Sequence, residues 1–139
     1  MKLIELIERV IADGIDAARR DYSKPSDAAK LQGAIEGFEQ CRGKTLDDLA
    51  ALYAEVQKTR KHAFETALDL DKLSHADKYW RARCRELEIG WVLNCISVVL
   101  VNEGTAPLVP PTARAALKVA EILGGSSAKP GSCSGAAGG

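Results

Sequence analysis

The sequence predicts an all-α fold, a compact bundle of about five helices with a flexible C-terminal tail. Three observations lead there. Apolar residues recur at steps of three and four from the N-terminus to residue 122, as one buried helix face requires. No segment alternates apolar and polar residues with the period of two that a half-buried strand shows. Helix-starting Ser or Thr and helix-stopping Gly or Pro divide the pattern into separate runs. The expected domain is 1–123, with 124–139 as tail.

Helix 1, over about 2–20, places Leu3, Leu6, Ile7, Val10, Ile11 and Ile15 on one side and Glu5, Glu8, Arg9, Asp16 and Arg19 on the other. Lys24-Pro25-Ser26 makes a turn, and Ser26 is the expected N-cap of helix 2, over about 27–41. On helix 2, Ala29, Gly33, Gly37 and Cys41 recur every four residues as a ridge of small side chains. A glycine inside a helix costs about 1 kcal/mol relative to alanine, so close approach of another helix backbone is the expected compensation. Leu31, Ala34, Ile35 and Phe38 flank the ridge.

Helix 3, over about 46–70, starts at Thr45 with the capping box Thr-x-x-Asp closed by Asp48. Its apolar face runs through Leu46, Leu49, Leu52, Tyr53, Val56, Phe64, Ala67 and Leu68, broken by Arg60. Helix 4, over about 75–102, starts with a second box, Ser74-x-x-Asp77. It carries Trp80, Cys84, Leu87, Trp91, Asn94, Val98 and Val101 on one stripe. Beyond residue 89 its other side is apolar as well, so its second half is the expected hub of the bundle. Three prolines stiffen the connection 103–111, Thr112 caps helix 5 (about 113–123), and Gly124-Gly125 stops it. The Gly/Ser-rich remainder has linker composition.

Lys plus Arg and Asp plus Glu each number 19, so no global charge favours nucleic acid or membranes. The four cysteines, Cys41, Cys84, Cys95 and Cys133, lack zinc-ligand spacing and suit a reducing, cytoplasmic setting. The charged N-terminal helix is not a signal peptide, and the apolar run Ile89 to Val101 is too short to span a bilayer.

Gly43-Lys44-Thr45 ends like a phosphate-binding loop, but that loop needs a glycine at position 38, where Phe38 stands, and a strand before it. What survives is a small anion site at Arg42, Lys44 and the amides beyond Thr45. Thr112 and Arg114, at the start of helix 5, are a second candidate for a phosphate or carboxylate. A third is Tyr79 and Trp80 beside Arg81, Arg83 and Arg85, of which only Arg81 and Arg85 are neighbours on the helix. Arg60, on an apolar face, requires an interhelical carboxylate, a subunit contact or a ligand. Asn94, inside the hub helix, requires partners for its amide, and such a residue often fixes oligomeric state or contacts a ligand. Catalytic sets are sparse. Glu36 and Glu39 resemble the ExxE element of all-helical nucleotide pyrophosphohydrolases, without the second, inward-facing acidic pair. His62 and His75 are expected to be exposed, with no nucleophile beside them.

Three segments, GAIEGFEQCRGKT, WVLNCISVVLVN and PTARAALKVAEILG, together resemble a group of small uncharacterised proteins of bacteriophages and prophages. The resemblance spans most of residues 27–123 and implies expression in a bacterial host cytoplasm and capture of a host component. It brings no catalytic residues. The expected function is therefore non-catalytic binding by a homo-oligomer, of a host protein or a small anionic, nucleotide-like ligand, without cofactor or metal. Two alternatives are a magnesium-dependent nucleotide hydrolase using Glu36 and Glu39, and a nucleic-acid binder using Lys58, Arg60, Lys61 and the helix 4 arginines.

Overall fold

The structure, a computed structural model, describes residues 2–70 and 73–124, with the backbone alone for 69, 70 and 73–75. It is all-helical, as expected. The helices are α1 (Leu3–Asp21), α2 (Ala28–Gln40), α3 (Leu46–Leu70), α4 (Leu73–Asn102) and α5 (Ala113–Gly124), with a 3-10 turn at Pro25–Asp27. Among the described residues there is no strand, and no helix is long and apolar enough to cross a membrane. The expected N-cap at Ser74 is corrected, since α4 begins at Leu73 and Ser74 lies inside the helix, while the exposure of His75 and the tail beyond Gly124 lie outside the described residues or side chains.

α4 is the hub. α1, α2, α3 and α5 all pack on it, and among the described elements α3 packs on no other. Ile89, Val92, Leu93 and Ile96 of α4 are at most 1% exposed. They share one core with Leu6, Val10 and Ile11 of α1, Phe38 of α2, Leu49 and Val56 of α3 and Val119 of α5. Each such side chain contributes roughly 1.5–3 kcal/mol by leaving water. The three thiols inside the fold, Cys41, Cys84 and Cys95, are buried and free. Burial pushes Cys41 and Cys95 up to about 12, so both are inert at neutral pH.

The ridge of small residues on α2 meets α4 backbone to backbone. A Cβ on Gly33 would lie 2.1 Å from the Arg81 carbonyl oxygen, and one on Gly37 would lie 2.7 Å from that of Arg85. The two contacts advance together along the chain, so α2 runs parallel to α4. Helix α3 runs antiparallel to it, as the pairs Tyr53 with Gly90, Arg60 with Glu86 and Phe64 with Tyr79 show.

The rest of the punctuation between helices follows the sequence except at Ser26. Gly43 (φ 68°) ends the turn after α2, and the Thr45 hydroxyl accepts a hydrogen bond from the Asp48 amide at 3.1 Å. The Thr112 hydroxyl accepts one from Ala115 at 3.2 Å. Ser26 is no cap, because it sits inside the 3-10 turn; Asp27 precedes α2 and its side chain makes no capping bond. After α4, Gly104 (φ 78°) allows Thr105 to donate to the Leu100 carbonyl at 2.8 Å and its own amide to donate to that of Val101 at 3.0 Å. The connection that follows is pinned by the buried Ser97 hydroxyl, which accepts from the amides of Leu108 and Val109, both at 3.1 Å.

Two expected core faces are corrected. Trp80 is 42% exposed, with Lys30 of α2 4.7 Å from its ring centroid, and Leu87 and Val101 on the same stripe are exposed too. On α3 the face is buried as far as Val56, but Phe64 and Leu68 are exposed. Phe64 and Leu68 stay open because, among the described residues, α3 beyond Val56 has only α4 beside it, whereas Trp80 lies under Lys30 of α2 and Leu87 lines the cleft between α1, α4 and α5.

Candidate functional site: a basic groove between two helices

The distal halves of α3 and α4 present to each other Thr59, His62, Ala63 and Thr66 on one side and Lys78, Arg81, Ala82 and Arg85 on the other. Each set has the spacing i, i+3, i+4, i+7, so each is a single face of its helix. Where a helix pair normally interleaves large apolar side chains, this seam has alanines and threonines. A groove of about 440 Å³ is left between the helices. That lies within the roughly 300–1,000 Å³ of small-molecule sites.

Its charge is one-sided. Lys78, Arg81 and Arg85 line it with His62, and no carboxylate does so among the described residues. Arg81 is held at the groove edge by Glu36 of α2, through Nε to Oε1 at 2.7 Å and a second bond from Nη2 to Oε2. Those hydrogen bonds hold the Glu36 carboxyl below its ordinary value against the opposing effect of burial, and the Arg81 and Arg85 charges add to the effect. Among the described residues Arg85 makes no ion pair, and its Nε is buried without a hydrogen-bond partner. A buried guanidinium N–H left unpaired costs about 1–3 kcal/mol, and an anion in the groove would satisfy it. The Thr59 hydroxyl donates to its own helix at the Glu55 carbonyl (3.2 Å).

The other sequence candidates are placed as follows. Arg60 is taken by an interhelical carboxylate: Glu86, 4% exposed, accepts from its Nε (3.1 Å) and Nη2 (3.4 Å), and also from Arg83 Nη1 (2.7 Å). Arg42 bridges Glu39 and Glu8 at the surface, so beside Lys44 and Thr45 only the lysine remains to meet an anion. Glu36 and Glu39 are thus each engaged by a guanidinium, which does not fit a magnesium site. Among the described residues no group of His, Cys, Asp and Glu is arranged to hold a metal. Thr112, Arg114 and Asn94 come together elsewhere, in a cleft between α1, α4 and α5. There Arg114 lies 5.5 Å from the Trp91 ring centroid, and Asn94 donates from Nδ2 to the Gly90 carbonyl of its own helix at 3.0 Å. His62 is exposed, as expected.

Sequence reasoning paired Arg81 with Arg85 but missed the groove they belong to. The signal was present: small and polar residues at 59, 63 and 66 stand where the α3 stripe turns away from large apolar side chains. Glu86 and Glu88 were expected to partner the arginines of their own helix; Arg83 does pair with Glu86, but the interhelical bond from Arg60 to Glu86 could not be read from the sequence, since a carboxylate between arginines on one helix gives no hint of which neighbouring helix it faces. Comparison with protein-family models, with curated proteins and with solved structures gives no match to this chain.

Proposed function

We propose that this protein is a non-catalytic binder of a small anion, held in the groove between α3 and α4. The observation that carries the proposal is the partnerless, buried Nε of Arg85 in a groove lined by three further basic side chains and no described carboxylate. A phosphate or carboxylate group would accept from Arg85 and Lys78, with the Thr66 hydroxyl as a neutral donor. Such charge-assisted bonds are stronger than neutral ones, and in a narrow groove they are less screened than at an open surface. The lining offers no Phe, Tyr or Trp, only the His62 ring, so recognition rests on the anionic group more than on a nucleobase.

The test is calorimetric titration with inorganic phosphate, citrate and adenosine monophosphate. All three are expected to bind without turnover, and Arg85→Gln to weaken each by at least tenfold, the effect of about 1.4 kcal/mol. No heat with any of them, or equal binding by Arg85→Gln, refutes the proposal. Phosphate release from added nucleotide would instead support the hydrolase alternative. Steeply salt-dependent capture of DNA or RNA would support a nucleic-acid binder. That alternative is weakened by the commitment of Arg60 and Arg83 to Glu86 and of Arg81 to Glu36.

A second reading, capture of a protein partner or self-association, is favoured by the exposed apolar end of the α3–α4 pair. Phe64, Tyr79 and Trp80 form a chain of rings with centroids 5.4 and 5.1 Å apart, and Leu68 is 64% exposed. Light scattering on the purified chain and on Leu68→Glu tests it: a clean monomer in both refutes self-association.

A further inference from the structure

The larger cleft between α1, α4 and α5, of about 820 Å³, has a different chemistry from the basic groove. Most of its charges are already matched. Arg83 is bound to Glu86 at 2.7 Å, and Lys118 to Asp13 at 3.2 Å and Glu121 at 3.3 Å. Two carboxylates are left over, Glu88 in the cleft wall and Asp21 at its α1 rim, and neither has an ion pair or a hydrogen bond among the described residues. Among the described residues of the lining, the cation without a carboxylate partner is Arg114, which rests over Trp91 and acts on Glu88 only at longer range.

One hydrogen-bond acceptor is unmet as well. Asn94 spends its Nδ2 on the Gly90 carbonyl, which leaves its Oδ1 buried and without a partner. The cleft therefore has two unmatched carboxylates against one unmatched guanidinium, an acceptor without a donor and an aromatic ring in its wall. Each of these three features independently suits a ligand that donates hydrogen bonds, carries a positive charge and has an apolar body.

We infer that this cleft binds a small organic amine, its ammonium on the Glu88 carboxylate and its apolar body against Trp91. Arg114 is then a competitor, since it occupies the same ring face and supplies the same charge. Burial pushes the Glu88 carboxyl up to about 7, the Arg114 charge opposing and the Asp21 charge adding. The other titratable groups that face it are Tyr22 from α1 and Cys84 on α4, and both titrate well above neutral pH. Amine binding thus strengthens as Glu88 ionises. This site is independent of the anion groove, and either stands if the other fails.

The test is calorimetry on the full chain with tryptamine, benzylamine and cadaverine, with the neutral alcohol tryptophol as the counterpart of tryptamine. At least one amine is expected to bind at pH 8, and tryptophol to bind at least tenfold more weakly than tryptamine. Affinity should fall about tenfold at pH 6, as Glu88 passes from mostly ionised to mostly protonated. Glu88→Gln should lower amine affinity by at least tenfold. Arg114→Gln, at an exposed position that leaves folding intact, should raise it. Absence of binding by all three amines overturns the inference, as does equal binding of tryptophol and tryptamine, an unchanged affinity in Glu88→Gln, or weaker binding by Arg114→Gln.

Discussion

Replacing Gly33 by alanine sets helix propensity against packing, and the structure decides between them. By propensity alone, alanine in the middle of α2 should stabilise the protein by about 1 kcal/mol. Yet its Cβ would lie 2.1 Å from the Arg81 carbonyl oxygen, 2.8 Å from the carbonyl carbon and 2.9 Å from Cα. Ordinary contact begins at 3.4 Å, and all three atoms are backbone in the hub helix, so no rotamer change relieves the clash. The helices must separate, loosening Ala34 and Phe38 against α4. Overpacking of this kind typically costs about 1–3 kcal/mol, enough to overturn the propensity gain. At 2.1 Å the cost lies at the upper end of that range, so urea unfolding of Gly33→Ala should show a net loss of about 2 kcal/mol after the propensity gain is subtracted, at an unchanged m-value. Gly37→Ala, at 2.7 Å, should lose less. Gln32→Ala, exposed on the same helix, should stay within about 0.5 kcal/mol of the parent. A Gly33→Ala protein as stable as the parent would refute the close α2–α4 packing.

Three further substitutions test other parts of the fold. Glu86→Ala removes a buried carboxylate from Arg60 and Arg83. Because both guanidinium groups are about one-third exposed and can reach water, the expected loss in chemical denaturation is about 2 kcal/mol rather than the 3–5 of a fully buried pair. Ser97→Ala leaves the Leu108 and Val109 amides without an acceptor, so about 1–3 kcal/mol should be lost and those two amides should lose hydrogen-exchange protection. Glu88 has a folded pKa of about 7 against the ordinary 4.5, so its protonated form favours the folded state. That contribution is fully present below about 4.5 and is lost as pH rises through about 7. Glu88→Gln should then match the parent near pH 4 and exceed it at pH 8, by about 2 kcal/mol once the partial exposure of the group is allowed for. Parallel stability curves for the two proteins would contradict this.

The helices were legible because each carries its own signal. The Thr45 and Thr112 caps, the Gly43 stop and the four-residue ridge of α2 are local patterns with local causes, and every helix begins and ends within two residues of its expected limit. The hub followed from one observation, apolar residues on all sides of the second half of α4. What the sequence hides is coverage. Trp80, Phe64 and Leu68 lie on regular apolar stripes, but a stripe does not say whether a neighbouring helix reaches that far. Interhelical pairing is hidden for the same reason. Arg60 announced a need for a partner, and only the three-dimensional arrangement identifies Glu86 as that partner. The arginines of α4 looked alike in sequence. In space Arg81 and Arg83 are matched by carboxylates, whereas Arg85 is not, and that difference distinguishes the basic groove.

The central claim, that the α3–α4 groove seats an anion on Arg85, is tested most directly by following the arginine Nε–Hε resonances by NMR during a phosphate titration. The Arg85 signal is expected to move progressively and saturably, with Arg60, tied to Glu86, essentially still. An Arg85 resonance that does not move while phosphate binds, or uniform drift of all arginine signals, would contradict the account.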